Sequence, residues 1–131
     1  MDGVAPVVML ADGLLLSALQ KGARTIIIRP GFVELVIGTK LDVEMQPPLE
    51  LHANLVRRIG VMAEVPNYST NEYACGRIEL EVEGRIAYFD VTVRGHGDAM
   101  RAQLAVHGYL DRPPPFTPPG IALDERDALT R

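Results

Sequence analysis

One cysteine, no tryptophan, three phenylalanines and four tyrosines in 131 residues set the first limits on this chain. Cys75 has no partner with which to close an internal disulfide, and no Cys/His grouping has metal-ligand spacing. A disulfide-stapled or zinc-held domain is therefore excluded, a reduced cytosolic setting is expected, and no cofactor is expected. With so few rings, the core must be built from aliphatic side chains. Positive charge is also scarce. The formal charge of −4, the pI near 5.3 and the lack of a basic run interleaved with aromatics exclude the usual nucleic-acid surface. The apolar stretch from Val4 to Leu19 is broken by Asp12 and Gly13 and follows Asp2 instead of a basic cluster. It reads neither as a signal peptide nor as a bilayer span.

Several catalytic signatures are missing as well: the phosphate-binding loop, the Gly-x-Ser-x-Gly elbow, the His-Glu-x-x-His helix and the dinucleotide fingerprint. The chain is not expected to be an enzyme. What is present suits one ordinary globular domain, with 47% apolar and 23% charged residues.

Along the chain, Asp12 is placed to cap a helix over about residues 12–22, with Leu15, Leu16, Leu19 and Ala23 at helical spacing and Gly22 as a stop. The β-branched run Thr25-Ile26-Ile27-Ile28 reads as a strand covered on both faces, ended by Pro30-Gly31. Phe32 to Ile37 and Leu41 to Met45 read as two further strands around Gly38. From Pro48, Leu51, Leu55, Ile59 and Met62 form the apolar stripe of a second helix. The strict alternation of Gly76 to Glu83 points Ile78, Leu80 and Val82 inward and Glu79, Glu81 and Glu83 to solvent on an edge strand. Glu83-Gly84 turns the chain into a strand from Arg85 to Val93, and a last strand follows from Met100 to Val106.

The predicted class is α+β, in the order α-β-β-β-α-β-β-β, a mostly antiparallel sheet with helices on one face. One core is expected from Ile26, Ile28, Leu35, Leu55, Ile59, Met62, Ile78, Leu80, Val82, Phe89 and Val91. Residues 1–11 are read as an extension, 12–110 as the domain, and 111–131 as a tail or linker. In that last segment, Arg112 to Gly120 carries five prolines, so it can enter neither a sheet interior nor a helix. The chain ends where a following domain would be expected.

Candidate contact residues are few. His96 and Asp98 form the polar tip of a loop, and Tyr68 and Tyr73 sit in a polar stretch where exposed rings could anchor a partner. Phe116 offers a ring within the proline-rich tail. His52 and His107 read as single histidines on element surfaces. Asp90 shares a strand face with Tyr88 and Thr92, away from the helix-covered core. A solvent-facing Asp90 would tolerate arginine at a cost of no more than about 0.5 kcal/mol.

Leu14 to Pro30, including Gly22-Ala23 and Ile26 to Pro30, resembles the PAS-like second N-terminal domain of type II secretion and type IV pilus assembly ATPases, whose pattern is Gly-Ala-Ser-Asp-Ile-His-Ile-Glu-Pro. The resemblance continues through Arg58-Ile59-Gly60-Val61-Met62-Ala63, Gly76-Arg77-Ile78, Gly84-Arg85 and His96-Gly97-Asp98, and covers about residues 14–107. It departs from the family at polar positions. Thr25, Ile27 and Arg29 replace an aspartate, a histidine and a glutamate. Val36, Gly38 and Thr39 replace an arginine, an aspartate and a glycine, and Glu72 to Cys75 replace Leu-Pro-Gln-Asp. Asp90 stands where the family has an arginine that approaches nucleotide phosphates of the neighbouring ATPase domain. The resemblance therefore implies a bacterial, cytoplasmic, PAS-like module without nucleotide chemistry, whose partner is a motor ATPase or another component of the same machine. An accessory fragment completing such an ATPase in trans and a PAS-like small-ligand sensor are the alternatives, with self-association left open.

Overall fold

The computed structural model describes residues 4–65, 74–95 and 99–120. Helix α1 (Val4–Lys21) leads into β1 (Thr25–Arg29), β2 (Phe32–Ile37) and β3 (Lys40–Met45). Helix α2 (Leu49–Met62) follows, then β4 (Ala74–Val82), β5 (Arg85–Arg94) and β6 (Arg101–Tyr109). The six strands form one sheet in the order β3-β2-β1-β6-β5-β4, every neighbouring pair antiparallel. Two helix-plus-meander units thus join through the pairing of β1 with β6.

Helix α1 begins at Val4 and not at Asp12, so part of the expected extension belongs to the helix. Asp12 does not cap it. The reason is packing: Val7, Ala11, Leu14, Leu15 and Ala18 form one continuous buried stripe, so burial carries the helix through Gly13. A glycine there costs about 1 kcal/mol against alanine, less than the gain from burying another helical turn.

The core lies between both helices and one sheet face. Ala11, Leu14, Leu15 and Ala18 of α1 and Leu55, Val56 and Ile59 of α2 pack on Ile26, Ile28, Leu35, Ile78, Phe89, Val91 and Leu104. Met62 and Leu80 lie at its edge, partly buried. Val82, expected in the core, is only half-buried near the end of β4.

Helix α2 ends at a tight C-terminal turn. Glu64 takes a left-handed conformation (φ 55°), its N–H donates to Val61 O, and the Val65 N–H donates to Gly60 O. This leaves the Ala63 carbonyl facing β4, where it accepts the Arg77 N–H at 3.2 Å. Between β4 and β5, Glu83 (φ 53°) and Gly84 (φ 83°) make the two-residue turn that the right-handed twist of a hairpin favours.

Helix α1 is tied to the far edge of the sheet through Glu44. Its carboxylate accepts the Ser17 hydroxyl at 2.7 Å and the Lys21 ammonium at 2.7 Å. The bond from Lys21 holds the carboxyl below the usual glutamate range against burial, with Ser17 assisting. Lys21 is half exposed, however, and solvent weakens the pair. Lys21→Ala is expected to lower stability by less than about 1 kcal/mol in urea unfolding; a larger loss would mean that this pair fixes the position of α1.

A candidate contact site where the tail crosses the sheet

Strand alternation divides the sheet into two faces. The face opposite the helices carries Cys75 and Arg77 from β4, Tyr88, Asp90 and Thr92 from β5, and Gln103 and Ala105 from β6, in the registers Arg77↔Asp90↔Ala105 and Cys75↔Thr92↔Gln103. The rows continue onto Thr25 and Val36 and onto Ile27 and Glu34. Asp90 does lie on this face, as the alternation predicts. It is nevertheless fully buried, at 0% exposure, and so is not the solvent-facing residue expected.

The cover is the proline-rich segment. Residues 113–120 form neither helix nor strand, yet they lie across β4 and β5 and hydrogen-bond to them. The Arg77 Nη2 donates to Pro115 O at 3.1 Å, the Thr117 N–H donates to Asp90 Oδ2 at 2.8 Å, and the Thr92 hydroxyl donates to Pro119 O at 2.5 Å. With its only proton committed, the Thr92 oxygen can accept the Cys75 thiol at 3.6 Å. The segment is therefore docked on the sheet.

Asp90 is the hub. Arg77 grips both carboxylate oxygens, Nε to Oδ1 at 2.5 Å and Nη2 to Oδ2 at 3.0 Å, while His107 Nε2–H donates to Oδ2 at 2.9 Å. Burial alone would raise the Asp90 pKa. The bonds from Arg77, the Thr117 amide and His107 outweigh it and hold the carboxyl below the usual aspartate range. The bond to Asp90 in turn raises the guanidinium of Arg77, against its own burial. Arg77 also lies 5.7 Å from the Tyr88 ring centre and 5.6 Å from that of Phe116, distances at which a cation is attracted to a ring. His107 follows Gln103 and Ala105 onto this side of the sheet by alternation, next to the register shift between Tyr88 and Phe89.

No protein-family model matches the sequence, and neither does any curated protein.

Of the residues singled out from the sequence, the structure brings Asp90 and Phe116 together through Arg77. Tyr68, Tyr73, His96 and Asp98 lie outside the described residues. His107 is no isolated surface histidine but a partner of Asp90. His52 also departs from the surface reading: it is fully buried, its Nε2–H donates to Met100 O at 2.5 Å, and its Nδ1 has no partner among the described residues. Arg77, Thr92 and Thr117 were not read as site residues. One signal for Arg77 was available, because a two-residue turn at Glu83-Gly84 sets Arg77, six residues before it, opposite Asp90, six residues after it.

A second, partly buried ion pair lies further along the same face. Arg29 Nε donates to Glu34 Oε1 at 2.8 Å, and its guanidinium stacks on Phe32 at 4.4 Å. Among the described residues there is no group of three or more His, Cys, Asp or Glu that could hold a metal ion. Two shallow depressions of about 300 and 360 Å³ lie beside the Glu83-Gly84 turn and share Arg85 and Tyr109, the first also lined by Leu110 and Asp111 where the chain leaves β6. No helix among the described residues is long and apolar enough to cross a membrane. At Asp90 a buried carboxylate and its partner guanidinium hydrogen-bond the backbone of an extended segment.

Proposed function

We propose that this chain is a non-catalytic interaction or regulatory module with a PAS-like fold, related to the domain that precedes the ATPase domain in type II secretion and type IV pilus motors. Its partner is such a motor ATPase or a neighbouring component. One observation carries this reading. Six of the positions at which the sequence departs from that family's pattern, Thr25, Ile27, Arg29, Val36, Cys75 and Asp90, fall on a single sheet face, the one opposite the helices. Gly38 and Thr39 lie in the β2–β3 turn, Ala74 lies on the helix side, and Glu72 and Tyr73 lie outside the described residues. Where the family has a phosphate-approaching arginine, this chain has a carboxylate whose hydrogen bonds are taken up by Arg77, His107 and the tail. A phosphate brought there would meet a fixed negative charge. These six positions share one face, with Ile27, Val36 and Asp90 buried on it, which suits a changed contact.

Two measurements test the proposal. Calorimetric titration of the chain with Mg-ATP is expected to show no saturable binding in the micromolar range, and such binding would overturn the non-nucleotide reading. Mixing with a purified secretion or pilus motor ATPase is expected to give a complex on size-exclusion chromatography with unchanged ATP turnover. Stimulated turnover would favour an accessory subunit acting in trans, and no complex would remove the motor as partner.

A further inference from the structure

We infer that the sheet face over β4 and β5 is a binding site for extended proline-rich segments, occupied in this chain by its own residues 113–119 and open to a segment of the same chemistry from another protein. The inference deepens the interaction-module reading by naming its surface, and it rests on that reading only for the kind of machine involved. Its frame is given by the three tail contacts. The face accepts a carbonyl at Pro115, an N–H at Thr117 and a carbonyl at Pro119, a carbonyl–N–H–carbonyl pattern repeating every second residue. Prolines satisfy both carbonyl positions, and only the central position must retain its amide hydrogen. A ring one residue before that amide reaches the Arg77 guanidinium, as Phe116 does.

Because these hydrogen bonds are to main chain, the face reads backbone pattern and stiffness more than side-chain identity. Proline-rich segments are pre-extended, so they lose little entropy on docking. The resident tail is held by hydrogen bonds more than by apolar burial, since Phe116 is 51% exposed and Thr117 is also exposed. When the tail leaves, Asp90 keeps Arg77 and His107, and water has to take over three hydrogen bonds, at Asp90 Oδ2, the Arg77 guanidinium and the Thr92 hydroxyl, groups that water can satisfy. The cost of exchange on the domain side is therefore small.

A foreign segment is a better occupant than a second copy of this chain. The tail begins directly after β6, so its effective concentration is on the order of millimolar. An identical tail on another copy, present at micromolar concentration, loses that competition. A partner segment with a larger buried ring at the Phe116 position gains the apolar contact that the resident tail lacks.

The test uses the full chain, its Thr117→Pro variant, and two synthetic peptides spanning residues 111–120, one native and one with proline at the Thr117 position. Binding is followed by amide NMR shifts of Arg77, Asp90 and Thr92 and by calorimetry. The native peptide is expected to bind the Thr117→Pro chain at least tenfold more tightly than it binds the wild type, whose own tail competes. The proline-substituted peptide is expected to bind at least tenfold more weakly than the native one. Equal affinity of the two peptides, or no binding to a folded Thr117→Pro chain, would overturn the site. Loss of the folded sheet in Thr117→Pro would show that the tail is an integral part of the core and overturn its exchangeability. Tail-exchanged dimers of the wild type at micromolar concentration would put a second copy on the face and overturn the choice of occupant. A chain that fails this peptide test can still pass the complex-formation test above, so the two readings fail separately.

Discussion

Asp90→Arg is expected to lower the unfolding free energy by about 3–5 kcal/mol, the range for breaking a buried, hydrogen-bonded ion pair by removing one partner. The substitution sets a second guanidinium against Arg77 and leaves the His107 N–H and the Thr117 amide without their acceptor. It also has to fit a longer side chain where Asp90 has no exposure at all. Asp90→Asn keeps the shape and one acceptor, so a smaller loss of about 1–3 kcal/mol is expected. Urea unfolding of the three proteins checks the order. An Asp90→Arg protein within about 0.5 kcal/mol of wild type, as usual for an exposed position, would mean that the carboxylate is not buried.

The same site predicts a pH dependence. The folded-state pKa of Asp90 lies below the ordinary value of 3.8, so its stabilising contribution is complete above that value. As the pH falls below 3.8 through the lower folded value, the contribution is lost. Asp90→Asn should therefore show a shallower loss of stability than wild type over that acid window.

The second large effect concerns Gly76. A Cβ built at this position would lie 2.1 Å from the Ala63 carbonyl oxygen and 3.0 Å from its carbon, both backbone atoms at the end of α2. No side chain can rotate out of the way, so β4 has to move off the helix, and the Arg77 N–H to Ala63 O bond is lost with it. Gly76→Ala is expected to cost about 3 kcal/mol, at the upper end of overpacking penalties. Because Arg77 is the next residue, the movement also disturbs the grip on Asp90, and faster proteolysis of the tail should accompany the loss. At Gly13, by contrast, an added Cβ meets nothing within 4 Å, so Gly13→Ala serves as a control and should be neutral or stabilising. A stable Gly76→Ala protein with its tail still protected would contradict the close approach of α2 and β4.

How much of this was legible beforehand depended on how local the cause was. The β4–β5 hairpin was readable because the alternation around Ile78 and the turn at Glu83-Gly84 are both short-range signals, and β2 was placed at Phe32–Ile37 for similar reasons. Helix α2 was found from Leu55 and Ile59, but its buried stripe is centred one position away from the expected one. It takes in His52, Val56 and Gly60 and leaves Met62 at the edge. Apolar spacing cannot reveal that, because a histidine is hidden there by a hydrogen bond to Met100, 48 residues away. The start of α1 was misplaced because Asp12-Gly13 has the chemistry of a boundary, which tertiary burial overrides.

The site itself was half legible. Alternation put Asp90 on the correct face, and proline content correctly kept residues 112–120 out of helix and sheet. What local sequence could not carry was their meeting, since the contact of Thr117 with Asp90 spans 27 residues and depends on main-chain groups that every residue possesses. A segment that cannot join a sheet by edge pairing can still lie on its face.

The Thr117 amide proton reports on this docking most directly, because it joins the tail to the buried carboxylate. Following its NMR resonance from neutral to acid pH in the wild-type chain tests the central claim, that a buried Asp90 holds the tail on the sheet. The account predicts slow hydrogen exchange near neutrality and a resonance that titrates with an apparent pKa below 3.8, losing protection as Asp90 is protonated. An amide that exchanges as fast as in an unstructured peptide and does not move with the carboxylate's titration would contradict it.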